Sequence, residues 1–249
     1  MSLFDSLDFS GKELVCFTGG GGKTTLMHRL AAYLCRFGPV AVTTTTRMGE
    51  EEATKADVLL GENVCDAARE KIAAGSSAFL FRELRDGKYG GFPPQTVASF
   101  RSRLGCCVLA EADGARRKPL KGYAEYEPPL PEHFDYQLIV VGADSFLQPM
   151  GEDTVARFEI VRSFLGAGEG EMLTPPRLLR LLTSAEMYLK NSPTDTKRIL
   201  CLNKADLMEP HALKVWVDYL ASRLTAFRGI GITGRGMEDS FIRIGRVES

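Results

Sequence analysis

The sequence predicts an α/β fold, one mainly parallel sheet with helices on both faces. Three observations predict it. Short apolar runs recur along the chain, nearly continuous rather than alternating, as in strands buried on both faces. Stretches with apolar residues at helical spacing separate these runs. The first run leads through four glycines straight into an amphipathic helical pattern.

In chain order, residues 13–18 read as the first strand. Leu26, Leu30 and Leu34, with Met27 and Ala31 beside them, mark the first helix, which Gly38-Pro39 ends. Residues 40–44 form a second, β-branched strand. Further strands are expected over 106–110, 137–141, 198–202 and 229–233. Thr174 and Pro175 supply an N-cap and a first-turn proline before Leu178, Leu179, Leu181 and Leu182. Leu213, Trp216, Val217, Leu220 and Leu224 share one helical face. Residues 83–95 look like a turn or hairpin insertion. Residues 115–135, rich in Pro, Lys, Arg and Glu, read as a long surface loop, a type that is often functional. No repeat or low-complexity linker divides residues 1–249, so a single domain is expected.

Composition limits the function classes. The 31 Lys+Arg against 32 Asp+Glu leave a formal charge of −1, which argues against a general nucleic-acid binder. No apolar run approaches the length of a membrane span, so no membrane partner is expected. Residues 1–5 carry no basic segment before an apolar stretch, so a cytoplasmic location is expected. The six cysteines form no C-x-x-C. Cys16, Cys106, Cys107 and Cys201 fall inside strand runs, as reduced core residues do. His28, His133 and His211 are scattered and suggest no metal cluster or triad.

The strongest chemical signal is T-G-G-G-G-K-T-T at residues 18–25, between strand and helix. Glycine backbone can turn successive N–H groups toward phosphate oxygens, and the helix adds its free N–H groups and positive dipole end. Gly19, Gly20, Gly21, Gly22, Lys23, Thr24 and Thr25 are therefore candidate phosphate ligands. Lys23 supplies a point charge to the β- and γ-phosphates, and the Thr24 hydroxyl a ligand to Mg²⁺. This makes the fold P-loop NTPase-like. Phe17 stands where the usual loop pattern has glycine, so the chain leaves its strand by a different turn, with Gly19 and Gly20 supplying the freedom.

Glu111 and Asp113 end an apolar strand in E-A-D-G, where an acid can hold the metal or orient water. The pattern Glu111-x-x-Gly114 resembles the D-x-x-G element of GTP-binding proteins. Which acid serves the metal stays open. Thr45 or Thr46, at the end of a threonine run, can reach the metal or γ-phosphate, and Arg47 can meet an anion. Arg116, Arg117, Lys118 and Lys121 follow Gly114. Arg116 is a candidate for stabilising phosphoryl charge, and the set could bind an anionic substrate. Asn203-Lys204-Ala205-Asp206 is N-K-x-D, the guanine-reading pattern. Asp206 can accept from guanine N1–H and N2–H₂, a donor pair that adenine lacks; Asn203 anchors the loop and the Lys204 stem lies along the ring.

The order T-G-G-G-G-K-T-T, V-T-T-T-T-R, E-A-D-G-A-R-R-K-P-L-K and N-K-A-D resembles the YqeC-type family of selenium-dependent hydroxylase accessory proteins. The stretches 125–131 and 141–146 support the likeness. It implies a P-loop NTPase-like fold and a role in maturing selenium-dependent molybdenum hydroxylases. The implied partners are a nucleotide and a hydroxylase apoprotein or cofactor precursor. Three readings follow. One is a Mg²⁺-dependent NTPase, using GTP or ATP, coupled to cofactor assembly. The second is a kinase or nucleotidyltransferase for a small anionic precursor. The third is a non-hydrolysing interaction module, motivated by Phe17.

Overall fold

The computed structural model describes residues 2–53 and 57–244. The elements run β1 (Leu14–Gly19), α1 (Lys23–Leu34), β2 (Val40–Thr44), β3 (Arg47–Gly49), β4 (Val58–Leu60), α2 (Val64–Ala73), β5 (Ala78–Phe81), β6 (Glu83–Arg85) and β7 (Lys88–Gly90). They continue with α3 (Pro94–Leu104), β8 (Cys107–Glu111), β9 (Leu120–Lys121), β10 (Tyr136–Gly142), β11 (Val155–Ala156), α4 (Phe158–Leu165) and α5 (Pro175–Thr183). β12 (Lys197–Asn203), α6 (Pro210–Ala221), β13 (Gly229–Ile232) and β14 (Ser240–Arg243) complete the chain.

The main sheet has the order β14-β13-β12-β10-β1-β8-β2-β5-β4, and only β14 runs antiparallel to its neighbour. This is the expected α/β architecture. β1, β2, β8 and β10 are buried along their whole length, because helices or packed loops cover both faces. On one face Val15, Phe17, Leu138 and Val140 pack under Leu26 and Leu30 of α1. On the other, Leu14, Cys16 and Val108 pack against α2 and α3, while Ile139, Val141 and Leu200 pack against α4, α5 and α6.

The stretch 115–135 corrects the expectation of a surface loop. It fills the space between those two helical groups: Leu120 and Tyr123 join one core cluster, Leu130 and Phe134 the other. Two of its charges, Lys121 and Glu127, are also turned inward. Lys121, 1% exposed, donates to the Gly114 carbonyl at 2.5 Å and pairs with Glu127 at 3.0 Å. Glu127 in turn holds the Arg157 guanidinium at 2.5 Å.

The insertion near 83–95 is a hairpin, β6 with β7, and β3 completes a three-stranded sheet. Met48 and Tyr89 bury its inner face, with Tyr89 stacked on Phe81 at 4.4 Å. Thr174 sits at the N-cap of α5, but its side chain makes no capping hydrogen bond. Cys16, Cys106, Cys107 and Cys201 are buried and free, and burial pushes the Cys106 thiol up to about 11. No helix among the described residues is long and apolar enough to cross a membrane.

Burial acts to raise the Glu127 carboxyl, but its bonds to Arg157 and Lys121 outweigh that and hold it below its ordinary value. A depressed carboxylate stabilises the fold above its unfolded pKa, and that contribution is lost as pH falls through the folded value. Glu127→Gln should therefore cost about 3–5 kcal/mol at neutral pH by urea unfolding, since it strands the buried Lys121. The gap to the parent protein should narrow below the usual carboxylate range.

Candidate functional site

Five strands end at one edge of the sheet, at Gly19, Thr44, Glu111, Gly142 and Asn203. The carboxyl edge of a parallel sheet is where α/β folds receive ligands. β1 lies at its centre, between β8 and β10.

The four glycines divide their work in a way the sequence did not predict. Gly19, Gly21 and Gly22 take φ values of +97°, +81° and +110°. Gly20 does not take a positive φ; it is needed for close approach, because a Cβ there would lie 2.6 Å from the Lys118 carbonyl oxygen. Phe17 is fully buried beneath α1, so the departure from the usual pattern belongs to the core. Three loop amides are already engaged. Gly19 N–H donates to Asp113 Oδ2 at 2.8 Å, Gly20 N–H to Val140 O at 2.8 Å and Gly21 N–H to Lys118 O at 2.9 Å. The groups left to face a ligand are the first-turn N–H groups of α1, from Gly22 to Thr25, which have no acceptor within the helix.

Lys23 is 4% exposed, and its ammonium is held by the Gly19 carbonyl at 2.8 Å, Asp113 Oδ1 at 3.0 Å and Glu111 Oε1 at 3.6 Å. Burial works to lower its pKa, but Asp113 and Glu111 outweigh burial and hold the ammonium above its ordinary value. Glu111 is also pushed up, for a different reason. Burial raises its carboxyl more than Lys23 and Thr24 lower it. Thr24 Oγ1 donates to Glu111 Oε2 at 2.7 Å. One ammonium thus faces two buried carboxylates, an excess of negative charge that a further cation would relieve.

The threonine run is sorted by hydrogen bonding. Thr43 Oγ1 donates to Leu80 O and Thr44 Oγ1 to Glu111 O, and Thr46 leans on the Thr44 hydroxyl at 3.2 Å. Thr45 Oγ1 is buried without a hydrogen-bond partner, next to Glu111, whose carbonyl accepts the Thr45 N–H at 3.0 Å. Gly22, Lys23, Thr24, Thr45, Glu111 and Arg116 line one cavity of about 910 Å³. Asp113 is wholly buried behind it and serves as a strut for Lys23 and Gly19. Arg116 and Arg117 follow in left-handed conformations, φ +52° and +62°.

Asn203 ties the second motif to the same loop. Its Nδ2 donates to Gly21 O at 2.8 Å, and Thr233 Oγ1 donates to its Oδ1 at 2.8 Å. Lys204 pairs with Asp144 at 2.6 Å, and Asp206 Oδ1 accepts the Arg235 N–H at 2.9 Å. None of Asn203, Lys204 and Asp206 lines the cavity, although the Asn203 side chain lies against Gly22, which does. Of the later basic residues, Lys118 bonds the Glu152 carbonyl, Arg117 pairs with Glu51 and Lys121 is internal. Lys88 also faces the cavity, and sequence reasoning missed it because a lysine beside a hairpin turn carries no pattern of its own. His28, His133 and His211 do not enter it.

A family model described as YqeC protein matches residues 15–159, more than half of the chain. The chain belongs to the YqeC family. A relative from Escherichia coli (strain K12), described as "Uncharacterized protein YqeC", is 27% identical over 193 residues, 77% of this chain and 75% of its own. No solved structure matches. In this YqeC chain every residue lining the cavity falls inside the matched segment, and N-K-A-D lies beyond it.

Gly21→Ala places a Cβ 2.2 Å from the Gly142 nitrogen at a positive φ, so it should cost more than about 1 kcal/mol in thermal unfolding. Asp113→Ala orphans the Gly19 N–H and takes a carboxylate from Lys23. It should cost about 3–5 kcal/mol, and an unchanged melting temperature would contradict the strut role.

Proposed function

We propose that this protein binds a Mg²⁺–nucleoside triphosphate, GTP in preference to ATP, and hydrolyses it. The observation that carries the reading is the uncompensated charge beside the first turn of α1: Lys23 against Glu111 and Asp113, with Thr24 and the unpartnered Thr45 hydroxyl alongside. First-turn N–H groups and Lys23 would receive the β- and γ-phosphates. Thr24, Thr45 and Glu111 offer the oxygen ligands that Mg²⁺ takes. Among the described residues no group of three or more His, Cys, Asp or Glu is arranged to hold a metal alone. That suits an ion completed by phosphate oxygens and water. Bound Mg²⁺ would neutralise charge on the phosphoryl oxygens.

Asp113 keeps Lys23 charged and in place. Arg116, exposed at the cavity wall, is positioned to meet charge on the transferring group. Asp206, fixed by the Arg235 N–H, keeps a second carboxylate oxygen for a guanine edge, and Asn203 couples that loop to the phosphate end. The family resemblance supports assigning the hydrolysis to maturation of a selenium-dependent molybdenum hydroxylase, with the apoprotein or a cofactor precursor as partner. Transfer to a small anionic acceptor is the second reading, favoured by the extension of the cavity past Glu111 to the three-stranded sheet.

Titration calorimetry with GTP and ATP, each with Mg²⁺, tests the site. Lys23→Ala should abolish binding. Because it also strands two buried acids, Thr24→Ala serves as the milder variant and should weaken the Mg²⁺ dependence without loss of fold. Asp206→Ala should weaken GTP about tenfold to a hundredfold and leave ATP unchanged. GTP affinity untouched by all three substitutions would refute the assignment. Labelled γ-phosphate appearing on an acceptor rather than as free phosphate would favour the second reading.

A further inference from the structure

The cavity is larger than a triphosphate tail and Mg²⁺ require, and its far wall is the three-stranded sheet. β3 pairs with β7 so that Arg47 lies opposite Gly90, and Gly49 opposite Lys88. Strand alternation sends Met48 and Tyr89 into the core and leaves Arg47 and Lys88 on the cavity side. Gly49, Gly90 and Gly91 also line this side, where a Cβ at Gly49 would meet the Glu51 carboxylate and one at Gly90 the Glu83 side chain. Gly91 is required there, since a Cβ would lie 2.0 Å from the Thr44 carbonyl oxygen. Two backbone bonds, Gly91 N–H to Thr46 O at 2.7 Å and Phe92 N–H to Thr44 O at 3.0 Å, fasten the wall to the end of β2.

The charges on the lining are unevenly satisfied. Every lining carboxylate has a partner: Glu51 has Arg117, Glu52 the Gly49 N–H, Glu83 Arg82, Glu111 Lys23 and Glu127 Lys121. Among the described residues three lining cations have no ion pair: Arg47, Lys88 and Arg116. Arg116 lines the same cavity from the segment after β8, with its backbone in the left-handed region. The unpartnered Thr45 hydroxyl lies on the strand-end connection that leads to Arg47. Three cations without an ion pair on the lining of one concave space, whose carboxylates already have partners, form a receptor for an oxyanion.

We propose that this end of the cavity is a second subsite that binds a small co-substrate through a phosphate or carboxylate group on Arg47, Lys88 and Arg116. The subsite abuts the phosphate seat at Glu111 and Thr45. It therefore rests on the nucleotide reading above and gives that reading a substrate class. It also replaces the basic set expected from sequence, because Arg117, Lys118 and Lys121 are spent on Glu51, the Glu152 carbonyl and Glu127.

The test uses the full chain, with the seat first filled by Mg²⁺ and the β,γ-imido analogue of GTP. Calorimetric titration with inorganic phosphate and, separately, citrate then distinguishes the two oxyanion types. Saturable binding of one probe is expected, weakened about tenfold or more in Arg47→Ala/Lys88→Ala. Both positions are exposed, and a melting curve checks the fold. Binding of neither probe, or equal affinity in the double variant, would overturn the subsite. Failure of the GTP analogue to bind would instead refute the nucleotide reading. The anion titration on the nucleotide-free chain, with the same double variant, would then still decide the subsite.

Discussion

The contact on which the rest depends is the Lys23 ammonium between Asp113, Glu111 and the Gly19 carbonyl. A buried charge costs several kcal/mol unless it is paired, so the loop, the helix start and the end of β8 must be assembled together. Sheet register makes this possible. β1 and β8 are parallel neighbours with Phe17 opposite Glu111, so the acid arrives level with the turn that follows β1. Asp113, two residues on, reaches back to the Gly19 N–H and to Lys23 at once. The second carboxylate leaves the cluster negative; the upward push on the Glu111 carboxyl comes chiefly from burial, with Asp113 adding to it.

The segment after β8 extends the same constraint outward. Lys118 and Pro119 offer their carbonyls to Gly21 and Gly142, so the backbone of the basic stretch is bonded to the glycine turn. A side chain at Gly20 would break this contact. Further along, Lys121, Glu127 and Arg157 form a chain of charge from the Gly114 carbonyl to the start of α4. The phosphate end, the cavity wall and the helices behind them are therefore mechanically one unit. A shift at Gly114 has a hydrogen-bonded route to Arg157.

The cavity also explains how the two motif sets relate. Gly21 to Thr24, Glu111 and Gly114 line it, while Asn203 of N-K-A-D bonds the Gly21 carbonyl. A ligand seated at the first turn of α1 would have the base loop on one side and the cationic sheet on the other.

Much of this was legible in the sequence. The runs at 13–18, 40–44, 106–110, 137–141, 198–202 and 229–233 became β1, β2, β8, β10, β12 and β13, because continuous apolar runs between helices have few other ways to be buried. α2, α3 and α4 were not legible: α2 buries small residues such as Ala68, and α4 is only eight residues long. The loop over 115–135 was misread because Lys121 and Glu127 pair inside and Leu120, Tyr123, Leu130 and Phe134 join the core, which composition cannot reveal. The sequence by itself determined the set of candidate residues, since G-K-T-T, the strand-end acids and N-K-A-D are local patterns. Only the tertiary structure decided which acid faces the cavity, which loop amides are already taken and which cations stay unpaired, because these depend on partners distant in the chain, such as Asp113 for Gly19 and Asn203 for Gly21, brought together by sheet order and packing.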